Sequence, residues 1–105
     1  MNDKKPEAFV ALCLALVEQA RGQTETAWRA MRNAQQRAEN EFSHGDGNPW
    51  YAAMGLCAEE GVYATFGCTV PMAAHADALR TIATTFPGTV TAAREAVRKA
   101  MEAKR

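Results

Sequence analysis

The sequence predicts an all-α fold, a compact bundle of about five helices formed by a single domain over residues 1–105. Alanine is abundant whereas Val, Ile and Thr are scattered, which favours helix over strand. Apolar residues recur at intervals of three and four, the period of one helix face. Proline, glycine, Thr and Asn residues divide the chain into segments of helical length. A chain of this size buries roughly 65% of its unfolded surface, so a core without disulfides or metal is feasible.

The first two predicted helices form an antiparallel hairpin. Pro6 suits the first position of a helix and Gly22 suits its end. Thr24 is a good cap for the second helix. Apolar positions at helical spacing predict the buried faces, which comprise Phe9, Leu12, Cys13, Leu16, Val17 and Ala20 on the first helix and Trp28, Met31, Gln35, Ala38 and Phe42 on the second.

A loop over His44–Asn48 separates this hairpin from the most apolar segment of the chain. Its two glycines and its Asp and Asn residues favour a turn, and Pro49 then suits a first helical position capped by Asn48. The following helix, Trp50–Phe66, is apolar or small nearly all round. We therefore expect it at the centre of the bundle. Two glycines inside it, Gly55 and Gly61, predict neighbours that approach closely there.

Two further helices are predicted after Gly67. Thr69 and Pro71 suit the start of the fourth, and Pro87–Gly88 suits its end. Thr89 is then the expected cap of the fifth helix. The predicted buried faces are Met72, His75, Leu79, Ile82 and Phe86 on the fourth helix, and Val90, Ala93, Val97, Ala100 and Met101 on the fifth.

The formal net charge of zero conceals a division of the chain into three parts. Residues 1–37 carry a net charge of +2, residues 38–79 carry −6 and residues 80–105 carry +4. The middle stretch holds no Lys or Arg, and it contains five of the eight aromatic residues. Its acids are Glu39, Glu41, Asp46, Glu59, Glu60 and Asp77. A surface of this composition would attract a basic patch on another protein.

Cysteine usage and hydropathy predict a cytoplasmic protein. The three cysteines are widely spaced and form no C-x-x-C motif, which is typical of small core residues in a reducing compartment. The longest apolar run, Phe9–Val17, has nine residues, whereas a membrane span needs about 20. Acidic residues and a proline before this run argue against a signal peptide. We therefore expect no membrane contact.

Residue spacing predicts neither an enzyme nor a bound cofactor. Glu59 and Glu60 are neighbours on a helix and point about 100° apart, so they do not form a paired acid–base site. The loop after Asp46 departs from a calcium loop, because Cys57 stands where a bidentate glutamate is required. Phosphate-loop glycines are missing, and the basic C-terminal residues lack interleaved aromatics. We therefore expect no direct nucleic-acid contact.

The charge division leads to a first hypothesis, a small non-catalytic protein–protein interaction module. Its acidic face would block a basic surface of a larger protein or complex. Aromatic side chains beside the loop would anchor such an interface. The candidate residues are Glu39, Glu41, His44, Asp46, Trp50, Tyr51 and Glu59. Small helical chains without motifs include inhibitors encoded by phages and mobile elements, such as anti-CRISPR proteins. We place the chain in this category as a hypothesis, and no residue motif specifies it.

Three other interpretations remain open. The first is a bundle that binds a small ligand or a metal through Glu59, Glu60, Tyr63 and His75. The second is a homo-oligomer that associates through the Met31/Phe42 or Leu79/Phe86 seam. The third assigns the aromatics of the middle stretch to the core and its acids to an ordinary solvated surface.

Overall fold

The computed structural model describes residues 4–67 and 72–103, which are helical with short connections and contain no strand. The all-α prediction is therefore confirmed, but the residues of these two ranges form six helices rather than about five. They are α1 (Lys5–Gly22), α2 (Glu25–Glu41), α3 (Pro49–Glu59), α4 (Val62–Phe66), α5 (Ala73–Thr85) and α6 (Pro87–Ala103), with one 3-10 turn at His44–Asp46. The Cα radius of gyration is 12.6 Å, close to the ~13 Å expected for a compact domain of this length. Across these two ranges, no helix combines the length and apolarity that a membrane crossing requires.

Helices α1 and α3 share the centre of the bundle. Helix α1 packs against α2, α3, α4 and α6, while α3 packs against α1, α2, α4 and α5. The predicted apolar face of α1 is buried throughout, and Phe9 and Leu12 are fully enclosed. Burial of each such side chain contributes about 1.5–3 kcal/mol. The expectation of a central apolar helix after the loop is not confirmed in that form, because α1 has as many neighbouring helices as α3.

Hydrogen bonds confirm two of the predicted helix starts. The Thr24 hydroxyl accepts a hydrogen bond from the N–H of Ala27 at 3.1 Å, at the start of α2. Likewise, the Asn48 side-chain oxygen accepts one from the N–H of Tyr51 at 3.0 Å, and Pro49 is the first residue of α3. A cap of this kind contributes about 1 kcal/mol, because it satisfies an N–H that has no partner inside the helix.

The predicted helix over Trp50–Phe66 is divided in two at Gly61. Gly61 has a φ of 80°, in the left-handed region that glycine adopts without strain, and α4 begins at the next residue. No atom lies within 4 Å of the position that a Gly61 Cβ would occupy. The prediction of a close neighbour at Gly61 was therefore wrong. This glycine turns the chain, and the apolar pattern continues on both sides of the turn.

The last helix begins earlier than predicted. Pro87 is its first residue, and Thr89, the predicted cap, lies inside α6 with 8% of its surface exposed. A proline can occupy the first helical turn because no N–H is required there, so the residue expected to end one helix starts the next. The predicted start of the fourth helix, Thr69 and Pro71, lies outside the described residues. Two predicted seam residues, Trp28 and Met72, are exposed at 48% and 78%.

The seams that were considered for self-association lie inside the monomer. Met31, Phe42 and Leu79 are exposed at 3%, 7% and 2%. Phe86 is half-buried and meets Phe42 edge-on, with ring centroids 5.7 Å apart. These side chains are used by the chain's own core, so neither seam is free to bind a second copy. Any self-association would need a different surface.

Helices α3 and α5 meet backbone to backbone at Gly55. A Cβ on Gly55 would lie 2.5 Å from the carbonyl oxygen of His75 and 2.9 Å from its carbonyl carbon. Any side chain at this position would have to push α5 away, since a helix backbone does not yield as a flexible side chain does. The predicted close approach at Gly55 is therefore confirmed.

We expect Gly55→Ala to lower the free energy of unfolding by about 1–3 kcal/mol, because the new methyl group overpacks the contact between α3 and α5. Urea denaturation followed by circular dichroism measures the change. The matched control is Gly88→Ala in α6, where no atom lies within 4 Å of the added Cβ. This control should be neutral or more stable by up to about 1 kcal/mol, the helix propensity of Ala over Gly. A Gly55→Ala variant as stable as the wild type would contradict the close approach.

Candidate functional site

The stretch without Lys or Arg does not form a surface without cations, because α6 brings two arginines to it. Arg94 Nη1 lies 2.6 Å from Glu59 Oε2. Arg98 donates two hydrogen bonds to the Glu60 carboxylate, from Nε to Oε1 at 2.6 Å and from Nη2 to Oε2 at 3.2 Å. A two-point contact of this kind is the strong form of an arginine–carboxylate pair. It fastens the corner between α3 and α4 to α6.

Glu60 is the most enclosed carboxylate of this cluster, with 10% of its side chain exposed, against 48% for Glu59. The hydrogen bond from Arg98 holds the pKa of the Glu60 carboxyl below its usual value, although partial burial acts in the opposite direction. The pKa of Arg94 is raised in turn, chiefly by its hydrogen bond to Glu59. The Glu60 carboxylate and the Arg94 guanidinium are therefore both charged at neutral pH.

A second ion pair holds the 3-10 turn against α1. Lys5 Nζ lies 2.8 Å from Asp46 Oδ2 and 5.4 Å from the centre of the Phe86 ring. The same carboxylate oxygen accepts hydrogen bonds from the N–H and the hydroxyl of Ser43, at 2.9 and 3.0 Å. The Lys5 hydrogen bond, followed by that of the Ser43 N–H, lowers the pKa of Asp46. The start of α1, the turn and the end of α5 are thereby joined.

The loop after this turn is anchored on α5. Gly47 has a φ of 106°, and a Cβ there would lie 3.1 Å from Thr81 Cγ2 and 3.2 Å from Ile82 Cγ1. Asn48 then caps α3 through its side chain. The loop has contacts to α1, α5 and α3 within a few residues, so its backbone is held in one arrangement.

Two acids of the middle stretch, Glu39 and Glu41, have no cationic partner within residues 4–67 and 72–103. The other four are matched there, since Asp77 pairs with Arg80 and the remaining three are paired as described above. Glu39 accepts only a long hydrogen bond from Gln35, at 3.4 Å. Both acids lie in the last turns of α2, immediately before the anchored loop. Among the carboxylates of the middle stretch, those without a cationic partner in the described residues are thus confined to the end of α2.

A shallow depression opens beside Glu39, between the end of α2 and the start of α3. It is lined by Glu39, Phe42, Ser43, Gly47, Asn48 and Pro49. Tyr51 follows in the first turn of α3 with 40% of its surface exposed, and its ring meets that of His75 edge-on at 4.7 Å between centroids. We term the depression together with Glu41 and Tyr51 the α2–α3 edge.

The structure separates the predicted partner-binding residues into groups. Glu39, Glu41 and Tyr51 belong to the α2–α3 edge. Trp50 is half-buried and packs on the core, while Asp46 is held by Lys5. Glu59 pairs with Arg94 of α6. The side chain of His44 lies outside the part of the chain that the structure describes.

The residues suggested for a ligand or metal site are not brought together. Glu59 and Glu60 are held by arginines of α6, as described above. Tyr63 is buried with 5% of its surface exposed, whereas the His75 ring contacts that of Tyr51, in the first turn of α3. Within the ranges that the structure describes, no group of three or more His, Cys, Asp or Glu side chains could hold a metal ion. The arginine pairing accounts for both glutamates.

Sequence reasoning missed the three cations that meet these acids from distant parts of the chain, Lys5, Arg94 and Arg98. The signal was present as the net positive charge of both flanking segments, opposite in sign to that of the middle stretch. Net charge does not say which residues meet, because each of these pairs joins residues more than thirty positions apart.

We expect Glu60→Gln to lower the free energy of unfolding at pH 7 by about 1 kcal/mol, because it weakens charge-assisted hydrogen bonds. The folded pKa of Glu60 is below its unfolded value, so its contribution is complete above about pH 4.3 and is lost as the pH falls through the folded pKa. The wild type should therefore lose more stability than the variant between about pH 5 and pH 3. Urea denaturation at stepped pH measures both slopes.

The adjacent Glu59→Gln variant is the control for this prediction. The Glu59 side chain is 48% exposed, so its substitution should lower the free energy of unfolding at pH 7 by less than about 0.5 kcal/mol. Equal acid slopes for the wild type and Glu60→Gln would contradict the assigned role of Glu60.

Comparisons of the chain with family models, curated proteins and solved structures found no match. The function must therefore be inferred from the contacts, burial and charge of the chain's own residues.

Proposed function

We propose that the protein is a non-catalytic interaction module that places its α2–α3 edge against a basic surface of a larger protein. The observation that carries this proposal is the pair of uncompensated acids, Glu39 and Glu41, beside a preformed depression. Elsewhere in the middle stretch, every carboxylate has an internal cationic partner in the described structure. A partner that places a Lys or Arg side chain at the α2–α3 edge would supply the cation that Glu39 and Glu41 lack.

Electrostatics favour a basic partner. Carboxylates without a counter-charge raise the rate of encounter with a positive surface and disfavour acidic partners. Here Glu39 is exposed and Glu41 is half-buried. Since Asp46 is neutralised by Lys5 nearby, the attraction comes from the end of α2 rather than from the whole middle stretch. The acidic face that we propose for partner binding therefore consists of two carboxylates, Glu39 and Glu41, rather than of all six acids of the middle stretch.

The anchored backbone of the loop favours binding as well. Gly47 is seated on α5, and the Asn48 cap joins the loop to α3. A loop held in this way loses little conformational entropy when a partner docks, so more of the contact energy is retained as affinity.

The shape and lining of the depression suit a lysine or arginine side chain. Phe42 and Pro49 supply apolar surface for the aliphatic stem, and Glu39 lies at the same depression to receive the charged head. Tyr51, which is exposed in the first turn of α3, is the type of residue that anchors protein interfaces. An inhibitor that masks a basic surface, of the kind encoded by phages or mobile elements, would use such an edge.

We expect a Glu39→Gln, Glu41→Gln double variant to lose most of its partner binding while it keeps its stability, because both acids lack internal cationic partners. The tagged protein is incubated with lysate of the organism that encodes it, and captured proteins are quantified by mass spectrometry. The matched control is Glu102→Gln, the same chemical change at an exposed position of α6. Partners captured by the wild type and the control should be depleted at least about tenfold with the double variant, which corresponds to ~1.4 kcal/mol.

Salt provides the second arm of this experiment. Binding through Glu39 and Glu41 should weaken as the ionic strength rises from about 0.05 to 0.5 M, because screening shortens the range of the attraction. A partner retained equally by the double variant and the wild type, or one unaffected by salt, would overturn the assignment to the α2–α3 edge.

A further inference from the structure

Two buried cysteines come into contact where α1 packs against α3. Cys13 and Cys57 are both free and fully buried. Cys57 Sγ lies 3.6 Å from the backbone carbonyl oxygen of Cys13, so the two residues are in direct contact although they are 44 positions apart. Neither thiol has a part in the α2–α3 edge. Two thiols in contact inside one core can be joined by a disulfide when their backbones lie close enough.

We propose that Cys13 and Cys57 form a redox-sensitive tie, a disulfide between α1 and α3 that arises when the chain meets a peroxide. In the first step a cysteine thiolate attacks the peroxide, the O–O bond breaks, and a sulfenic acid and water are formed. In the second step the other thiol attacks the sulfenic sulfur, and the S–S bond forms as a second water leaves. Two thiols are oxidised and one peroxide is reduced to two waters.

Burial makes this reaction slow and selective. Burial raises the pKa of the Cys13 thiol, and the neighbouring Cys57 adds to the rise. Little Cys13 thiolate is therefore present at neutral pH. A peroxide reaches the pair only when the contact between α1 and α3 briefly opens. Once a sulfenic acid has formed, the partner thiol is next to it and captures it before further oxidation. The disulfide therefore forms only in molecules in which α1 and α3 have opened in the presence of peroxide.

The consequence of the tie is a more stable bundle. The bond would join positions 44 residues apart and would restrict the unfolded chain accordingly. It also holds α3, whose first turn carries Tyr51, against α1 after oxidation. We expect the oxidised protein to melt more than about 5 °C above the reduced protein, and dithiothreitol to reverse the rise.

The experiment uses the full chain with Cys68→Ser. Trypsin releases residues 38–80 as one peptide that contains both Cys57 and Cys68, so removal of Cys68 makes the cross-link unambiguous. The protein is treated with hydrogen peroxide and analysed by mass spectrometry without reduction. We expect a loss of about 2 Da and a cross-linked pair of the peptides that contain Cys13 and Cys57.

Single variants supply the controls in the same background. Cys13→Ala and Cys57→Ala each lack the resolving thiol, so peroxide should leave a sulfenic acid that dimedone traps, and no melting rise should follow. Should either variant fail to fold, the reversible melting shift of the Cys68→Ser protein still tests the tie. Two thiols that remain alkylable after oxidation, or a gain of about 32 Da on one cysteine without a cross-link, would overturn the proposal.

Discussion

The absence of a side chain at Gly55 is the constraint on which the rest of the arrangement depends. Because the α5 backbone lies directly on α3 there, the later turns of α5 reach the loop that precedes α3. Thr81 and Ile82 then support Gly47, and Phe86 comes beside Lys5. A methyl group at Gly55 would lift α5 from all of these contacts together. The geometry of the α2–α3 edge therefore derives from a helix contact several residues away.

Charge distribution explains how the distant parts of the chain are joined. The acidic middle of the sequence is met by Lys5 from one flank and by Arg94 and Arg98 from the other. The basic flanks and acidic middle are thus largely an internal complementarity. The attraction of the middle stretch for another molecule depends on its two unpaired acids, Glu39 and Glu41, more than on its total charge. A charge without an internal partner acts more strongly on another molecule than a paired one.

Local signals accounted for much of the fold. Thr24 and Asn48 begin helices as expected, since a cap is made between residues three positions apart. Gly61 and Pro87 were misread, because glycine and proline are compatible with both the end of one helix and a turn into the next. Trp28 and Met72 fit an apolar periodicity but are exposed. Periodicity shows which residues share a face, and it does not show whether a neighbour covers that face.

The sequence by itself determined the helical class, the buried face of α1, the two capped helix starts and the uneven distribution of charge. Each of these depends on residues close together in the chain or on composition. The tertiary structure decided that α1 and α3 pack together with Cys13 against Cys57, that arginines of α6 pair with Glu59 and Glu60, and that the unpaired carboxylates of the middle stretch lie at the end of α2. These contacts join residues far apart in the chain, and only the packing of the helices selects them.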